Sequence, residues 1–208
     1  MWALRCGIAV VFALAACAQT DFRKSTWGMT RAQVQASESN PPSLVRKSNG
    51  ETILEYNPIP FASLAARVTY IFADNKLVRA KYIFSGEHHD QNEFIADYRM
   101  IEPVLTKMLG KPTSARAIWN DDSTQDEPKS YLDQDRATPA SILPSDPLVG
   151  LAVSLGHLRL YTEWSNTHTT ILHALTGENL NIIHQVEYRG VAFEPLENAV
   201  RRAPAPAN

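Results

Sequence analysis

The sequence predicts an α+β protein: antiparallel sheet with two helices packed on one face. Three observations lead there. Segments 66–73, 77–84, 158–164, 169–175 and 181–188 alternate apolar and polar residues and end in turn-forming residues, the mark of half-buried strands. Two segments, opening at Thr30 and Asp90, carry helix caps and helical spacing. The order helix, strands, helix, strands then suggests tandem α-β-β-β units, although no residue-level repeat of fixed period is present. A length of 208 residues with 44% hydrophobic composition is enough for one real core.

The N-terminus reads as an export signal. Arg5 gives a positive start, and residues 7–16 are apolar, uncharged and too short to span a bilayer comfortably. Two cleavage readings overlap within residues 1–18. Leu14-Ala15-Ala16-Cys17 resembles a bacterial lipobox, which would make Cys17 the lipid attachment site. Ala16-Cys17-Ala18 equally satisfies the small-x-small rule for ordinary cleavage before Gln19. Trp27 follows so closely that a lipid on Cys17 would hold the domain near the membrane. Either reading sends the protein to the periplasm; the first anchors it to the outer membrane. Cys6 and Cys17 are the only cysteines, so the mature domain has no internal disulfide.

Residues 19–120 form the first helix–strand unit and the second helix. Trp27-Gly28 is an aromatic anchor and glycine turn. Thr30 caps a short helix, with Gln33 completing a capping box, and Ser39-Asn40-Pro41-Pro42 ends it. Residues 51–56 are a strand closed by Asn57-Pro58. The hairpin between 66–73 and 77–84 can be phased by parity. A three-residue loop, Asp74-Asn75-Lys76, pairs Phe72 with Val78, Tyr70 with Ala80 and Val68 with Tyr82; a two-residue turn at Asp74-Asn75 would pair Tyr70 with Arg79, across the wrong phase.

Asp90 opens the second helix, with Glu93 at the capping-box position. Phe94, Tyr98, Ile101, Leu105 and Met108 make its apolar stripe. Pro103 predicts a kink or a restart, and Gly110 with Pro112 the end. A strand at 115–120 follows. Residues 121–147, acidic and rich in proline, read as a disordered insertion. Residues 148–191 form a C-terminal meander that completes the same domain, and 192–208 a flexible tail.

Two motifs carry a family resemblance: Gly28-Met29-Thr30-Arg31-Ala32-Gln33-Val34 at the first helix start, and Leu109-Gly110-Lys111-Pro112-Thr113 after the second helix. They resemble the BamE/SmpA lipoproteins, small bacterial envelope proteins of the β-lactamase-inhibitor-protein-like fold group. The chain also resembles secreted bacterial proteins with a Trp-Gly-Met-Thr start. The resemblance covers about a dozen residues. It implies helices on an antiparallel sheet and an envelope location; BamE-type chains hold one such unit where this chain has two.

Chemistry is sparse. There is no Gly-x-Ser-x-Gly elbow, phosphate loop or His-Glu-x-x-His segment, and a formal net charge of -2 without a basic stripe gives no case for nucleic acid. Asp121, Asp122, Asp126 and Glu127 lack calcium-loop spacing and read as a solvated run. His88-His89 read as exposed residues beside the cap. Trp27, Trp119 and Trp164 read as core rings. His173 and His184 share the apolar phase of adjacent strands. A two-residue turn at Glu178-Asn179 sets them directly opposite, as a metal-ligand or pH-sensing pair or as a satisfied cross-strand pair. The function these features favour is a non-catalytic exported envelope protein, without cofactor, binding another protein or envelope component. The alternative is a metal-dependent hydrolase or a metal or pH sensor using the His173/His184 face.

Overall fold

The computed structural model describes residues 20–48, 50–121 and 148–202. Cys17, the export signal and residues 122–147 of the insertion lie outside that range. No helix among the described residues is long and apolar enough to cross a membrane.

The α+β expectation holds, with one antiparallel sheet of eight strands in the order β1-β2-β3-β4-β8-β7-β6-β5. Its strands are β1 (Leu44–Ser48), β2 (Glu51–Phe61), β3 (Leu64–Ala73), β4 (Lys76–Phe84), β5 (Ser114–Trp119), β6 (Leu158–Ser165), β7 (Thr169–Glu178) and β8 (Asn181–Gly190). Two four-stranded meanders meet where β4 pairs with β8, from Arg79↔Arg189 to Ile83↔Gln185.

Three hairpins turn in two residues with positive φ at both: Ala62-Ser63, Asp74-Asn75 and Asn179-Leu180. This is the turn whose twist suits paired strands. At Asp74-Asn75 it corrects the expected three-residue loop. Ala73 pairs with Lys76 and Phe72 with Leu77, and Val78 is then the extra residue of a bulge. Beyond the bulge Tyr70 faces Ala80 and Val68 faces Tyr82, as parity requires. The bulge absorbs the residue that the longer loop was meant to supply. β2 also runs past its expected end. Pro58 and Pro60 follow the last β1 partner, Glu55, so on that side no strand asks for their missing N–H.

The helices depart from two on one face. α1 (Arg31–Ser37) and α2 (Gln91–Leu109) bring Val34, Ile101 and Leu105 onto the side of the sheet that carries Leu54, Tyr70 and Phe72. α3 (Val149–Leu155), not expected as a helix, packs Val149, Ala152 and Val153 with Tyr98, Leu160 and Leu175 on the same side. There the approach is close. A Cβ on Gly177 of β7 would lie 2.2 Å from the Val153 carbonyl oxygen, and one on Gly150 2.4 Å from the Asn92 amide nitrogen.

α4 (Glu194–Arg202) lies on the opposite side, where the tail was expected to be flexible. Leu196 and Val200 cover Ile53, Ile71 and Val78. Its charges complete an ion cluster beneath the helix. Arg79 Nε lies 2.8 Å from Glu197, without hydrogen-bond alignment, and Arg201 pairs with Glu51 at 2.9 Å. Glu187 takes Lys81 at 2.6 Å and Arg79 at 3.3 Å.

Thr30 and Gln33 form the expected capping box. At α2 the box does not form: Asp90 accepts from the Asn92 N–H, and Glu93 turns back to His88 at 3.0 Å. α2 is not divided at Pro103, and Met108 at its end is exposed. Gly110 caps it at φ +86 and ψ -166, a glycine region but not the left-handed helical one.

Candidate functional site

The structure brings His173 and His184 together by a different register. The β7–β8 turn is Asn179-Leu180, so His173 faces Val186 and His184 faces Leu175. The slip from the expected pairing is two residues, which preserves the face and makes the histidines diagonal neighbours. Their Nε2 atoms are 2.8 Å apart. Both rings are buried. Tyr98 stacks on His173 with centroids 4.0 Å apart, and Phe84 lies against His184 at 4.3 Å.

Burial, then the neighbouring His184, holds His173 well below the ordinary imidazole range. Burial, then His88, lowers His184 to about 3. Both are therefore neutral at ordinary pH. One Nε2–H donates to the other Nε2, which leaves both Nδ1 atoms without partners among the described residues. The spacing suits a hydrogen bond better than a shared metal, because two zinc–nitrogen bonds at a tetrahedral angle separate their nitrogens by ~3.3 Å. Among the described residues no group of three or more His, Cys, Asp or Glu is placed to hold an ion.

His88 is not simply an exposed residue. It is held between Glu93 at 3.0 Å and Asp97 at 2.7 Å, with its ring edge-on to Phe94. The three tryptophans pack against the core. Trp27 lies over Gly190 and donates from its indole to Thr169 at 2.9 Å, tying the opening segment to the far meander. Trp164 donates to the Gly110 carbonyl at 2.9 Å.

A second polar centre was not legible beforehand. Arg23, before α1, donates from Nε and Nη2 to the two oxygens of Glu38, the α1 C-cap, both at 2.9 Å. The Tyr70 hydroxyl donates to the same carboxylate. Burial alone would raise Glu38, but the bonds from Arg23 and Tyr70 outweigh it and hold the carboxyl below its ordinary range. Phe22, Tyr56, Tyr70 and Tyr82 form an aromatic floor, with Phe22 and Tyr56 edge-on to Tyr70. Arg23 and Glu38 stand 15 residues apart among other charges, and only the turn before α1 juxtaposes them. The one sequence signal was that Tyr70 and Tyr82 fall in the apolar phase of alternating strands.

The centre walls a cleft of about 250 Å³ reaching Asn40, Pro41, Asn57 and Pro58. Tyr56 lines it at 6% exposure, and its hydroxyl has no partner among the described residues.

No protein-family model, curated protein or solved structure matches the chain.

Proposed function

We propose that the protein is a non-catalytic exported envelope protein that holds a protein or envelope component on the open face of its sheet. The observation that carries this reading is the bare side of β5–β8, opposite α2 and α3. A ladder row there runs Arg116, Tyr161, Ala174, Gln185, Ile83 and Arg67 across six strands. Ile183 and Ile118 beside it are 52% and 37% exposed. α4 reaches β8 only at the Glu187 cluster, and no described helix covers β5–β7 on that side. An exposed apolar and aromatic surface rimmed by charge is the usual form of a docking face.

Export and the lipid on Cys17 rest on residues 1–18 alone. Tandem units are proposed on the strand order, in which each half is a helix followed by a four-stranded meander, with α3 inserted in the second. That doubling accords with the resemblance to one-unit BamE/SmpA-type proteins.

A photo-crosslinker at Ile183 tests the docking face in intact cells. The expected result is one discrete adduct, lost on Tyr161→Glu with the protein still folded. An unchanged adduct in Tyr161→Glu, or none from Ile183, sinks the reading. Intact-mass measurement decides between acylated Cys17 and a chain beginning at Gln19.

A further inference from the structure

We propose that the outer edge of β1 is a docking strand for an extended acidic segment of another protein, added to the margin of the sheet. It stands at the far side of the sheet from β5, so its fate is independent of the open-face docking reading.

The edge is open. β1 pairs with β2 along one side only, in unbroken register from Leu44↔Glu55 to Ser48↔Glu51. All five of its residues are exposed. Along its other side, alternate residues turn N–H and C=O groups to solvent, over a length of ~17 Å. The opposite margin of the sheet differs, since Ala115 and Ala117 of β5 are buried. Nothing has to move for a strand to pair with β1, because its backbone is already extended and held by β2.

Side chains set what that strand can be. Leu44 and Arg46 share one face with Glu55 and Ile53, while Val45 and Lys47 share the other with Leu54 and Thr52. Leu44 and Val45 are 47% and 49% exposed. The edge is thus aliphatic on both faces at its start and basic on both faces further along.

The basic half is short of carboxylate. Arg46 lies 3.2 Å from Glu55, but Arg67 draws on the same carboxylate at 3.7 Å, and the two arginine side chains remain 53% and 45% exposed. Lys47 is opposite Thr52 and has no ion-pair partner among the described residues. Val200 lies against Gly50, just past β1, which brings the last turn of α4, with Arg201 and Arg202, to that end. Glu51, opposite Ser48, is already held by Arg79 and Arg201. A strand with carboxylates opposite Arg46 and Lys47 therefore meets unmatched positive charge on both faces.

A second copy of this chain does not fit as well. The antiparallel register that pairs all five residues of two β1 strands sets Arg46 against Arg46. Charges on an edge keep like strands apart, and the same charges attract a complementary one.

The test is a titration of the purified protein, followed by amide NMR, with two capped peptides. One is Ser-Thr-Glu-Glu-Val-Ile-Thr, whose central five residues run opposite Ser48 back to Leu44; the other carries lysine at both glutamate positions. The expected result is saturable shifts at residues 44–48 and slowed amide exchange there with the acidic peptide, and neither with the lysine peptide. The double variant Arg46→Gln, Lys47→Gln changes only exposed side chains and leaves Arg67 on Glu55. It should keep the wild-type melting temperature and bind the acidic peptide about fivefold more weakly, from two lost cross-strand charge pairs. The proposal fails if the acidic peptide leaves β1 unshifted, if the lysine peptide binds equally well, or if the double variant binds as wild type does. Concentration-dependent shifts at β1 without peptide would assign the edge to a second copy. Shifts there with phosphatidylglycerol vesicles but not with the peptide would assign it to an anionic membrane. Either outcome overturns the proposal.

Discussion

At the residue scale, two imidazoles packed nitrogen to nitrogen in a dry core make a specific demand on pH. The folded protein holds His184 at about 3, against an ordinary 6.5, and His173 is lowered too. The unfolded chain therefore binds more protons than the folded one between those values, so stability falls as the solution is acidified below 6.5. For His184 alone the loss between pH 6.5 and 4.5 is on the order of 2–3 kcal/mol. Glu38 acts in a lower window. Its folded carboxyl is depressed, so its contribution is present above its ordinary 4.5 and is lost only as pH falls through the lower folded value. Urea midpoints measured from pH 8 to 4 should drop mainly between 6.5 and 4.5, and His184→Leu should flatten that drop. A level wild-type profile would contradict the buried neutral pair. Glu38→Ala should cost about 2–4 kcal/mol at pH 7, because it strands the partly buried Arg23.

At the scale of elements, two glycines separate crowding from backbone strain. Gly177→Ala would drive a methyl into the Val153 carbonyl at 2.2 Å, so α3 must lift from β7; ~1–3 kcal/mol is expected. Gly110→Ala meets nothing within 4 Å, yet its φ of +86 with extended ψ costs ~1–3 kcal/mol of strain. Both losses should appear in chemical denaturation, with α3 amides losing exchange protection only in Gly177→Ala. Protection lost equally in both variants would argue against this division. α4 makes a third case. Glu197→Ala removes the contacts to Arg79 and Arg201 and should expose the peptide bond after Phe193 to limited proteolysis while the sheet persists. A helix as protease-resistant as wild type would mean that Leu196 and Val200 alone hold it.

Elements also show why sequence reading reached some features and missed others. Period-two alternation marked β3, β4, β6, β7 and β8, because one face of each packs toward α1, α2 or α3; β3 and β4 are buried on the other face as well, under α4. β1 escaped because all five of its residues are exposed, so it has no alternation to display and exists through its ladder with β2. α4 escaped because Glu197 and Arg201 look solvated until Arg79 and Glu51, far away in the chain, are placed beneath them. The histidine pair was legible as a shared face, since a two-residue slip conserves parity. The Arg23–Glu38 centre was not, since nothing in spacing or periodicity links a residue before α1 to one that ends it.

For the molecule as a whole, the two meanders are not independent bodies. Leu54 and Tyr70 of the first half share one core with Trp164, Ile171, Val186 and Tyr188 of the second. Trp27 reaches across to Thr169. A single cooperative transition is expected, with tryptophan fluorescence and far-ultraviolet dichroism coincident in urea. Two separated transitions would show that the β4–β8 seam is a domain boundary.

That seam also sets a timetable. β4 is the fourth strand made and β8 the last, with about a hundred residues between their pairing partners. Until residues 181–190 emerge, the first meander presents β4 as a raw edge, and its aromatic floor lacks Tyr188. A nascent chain therefore cannot complete its sheet until residues 181–190 have emerged. Under the export proposed above, such lateness would keep the sheet open until residues 181–190 had crossed.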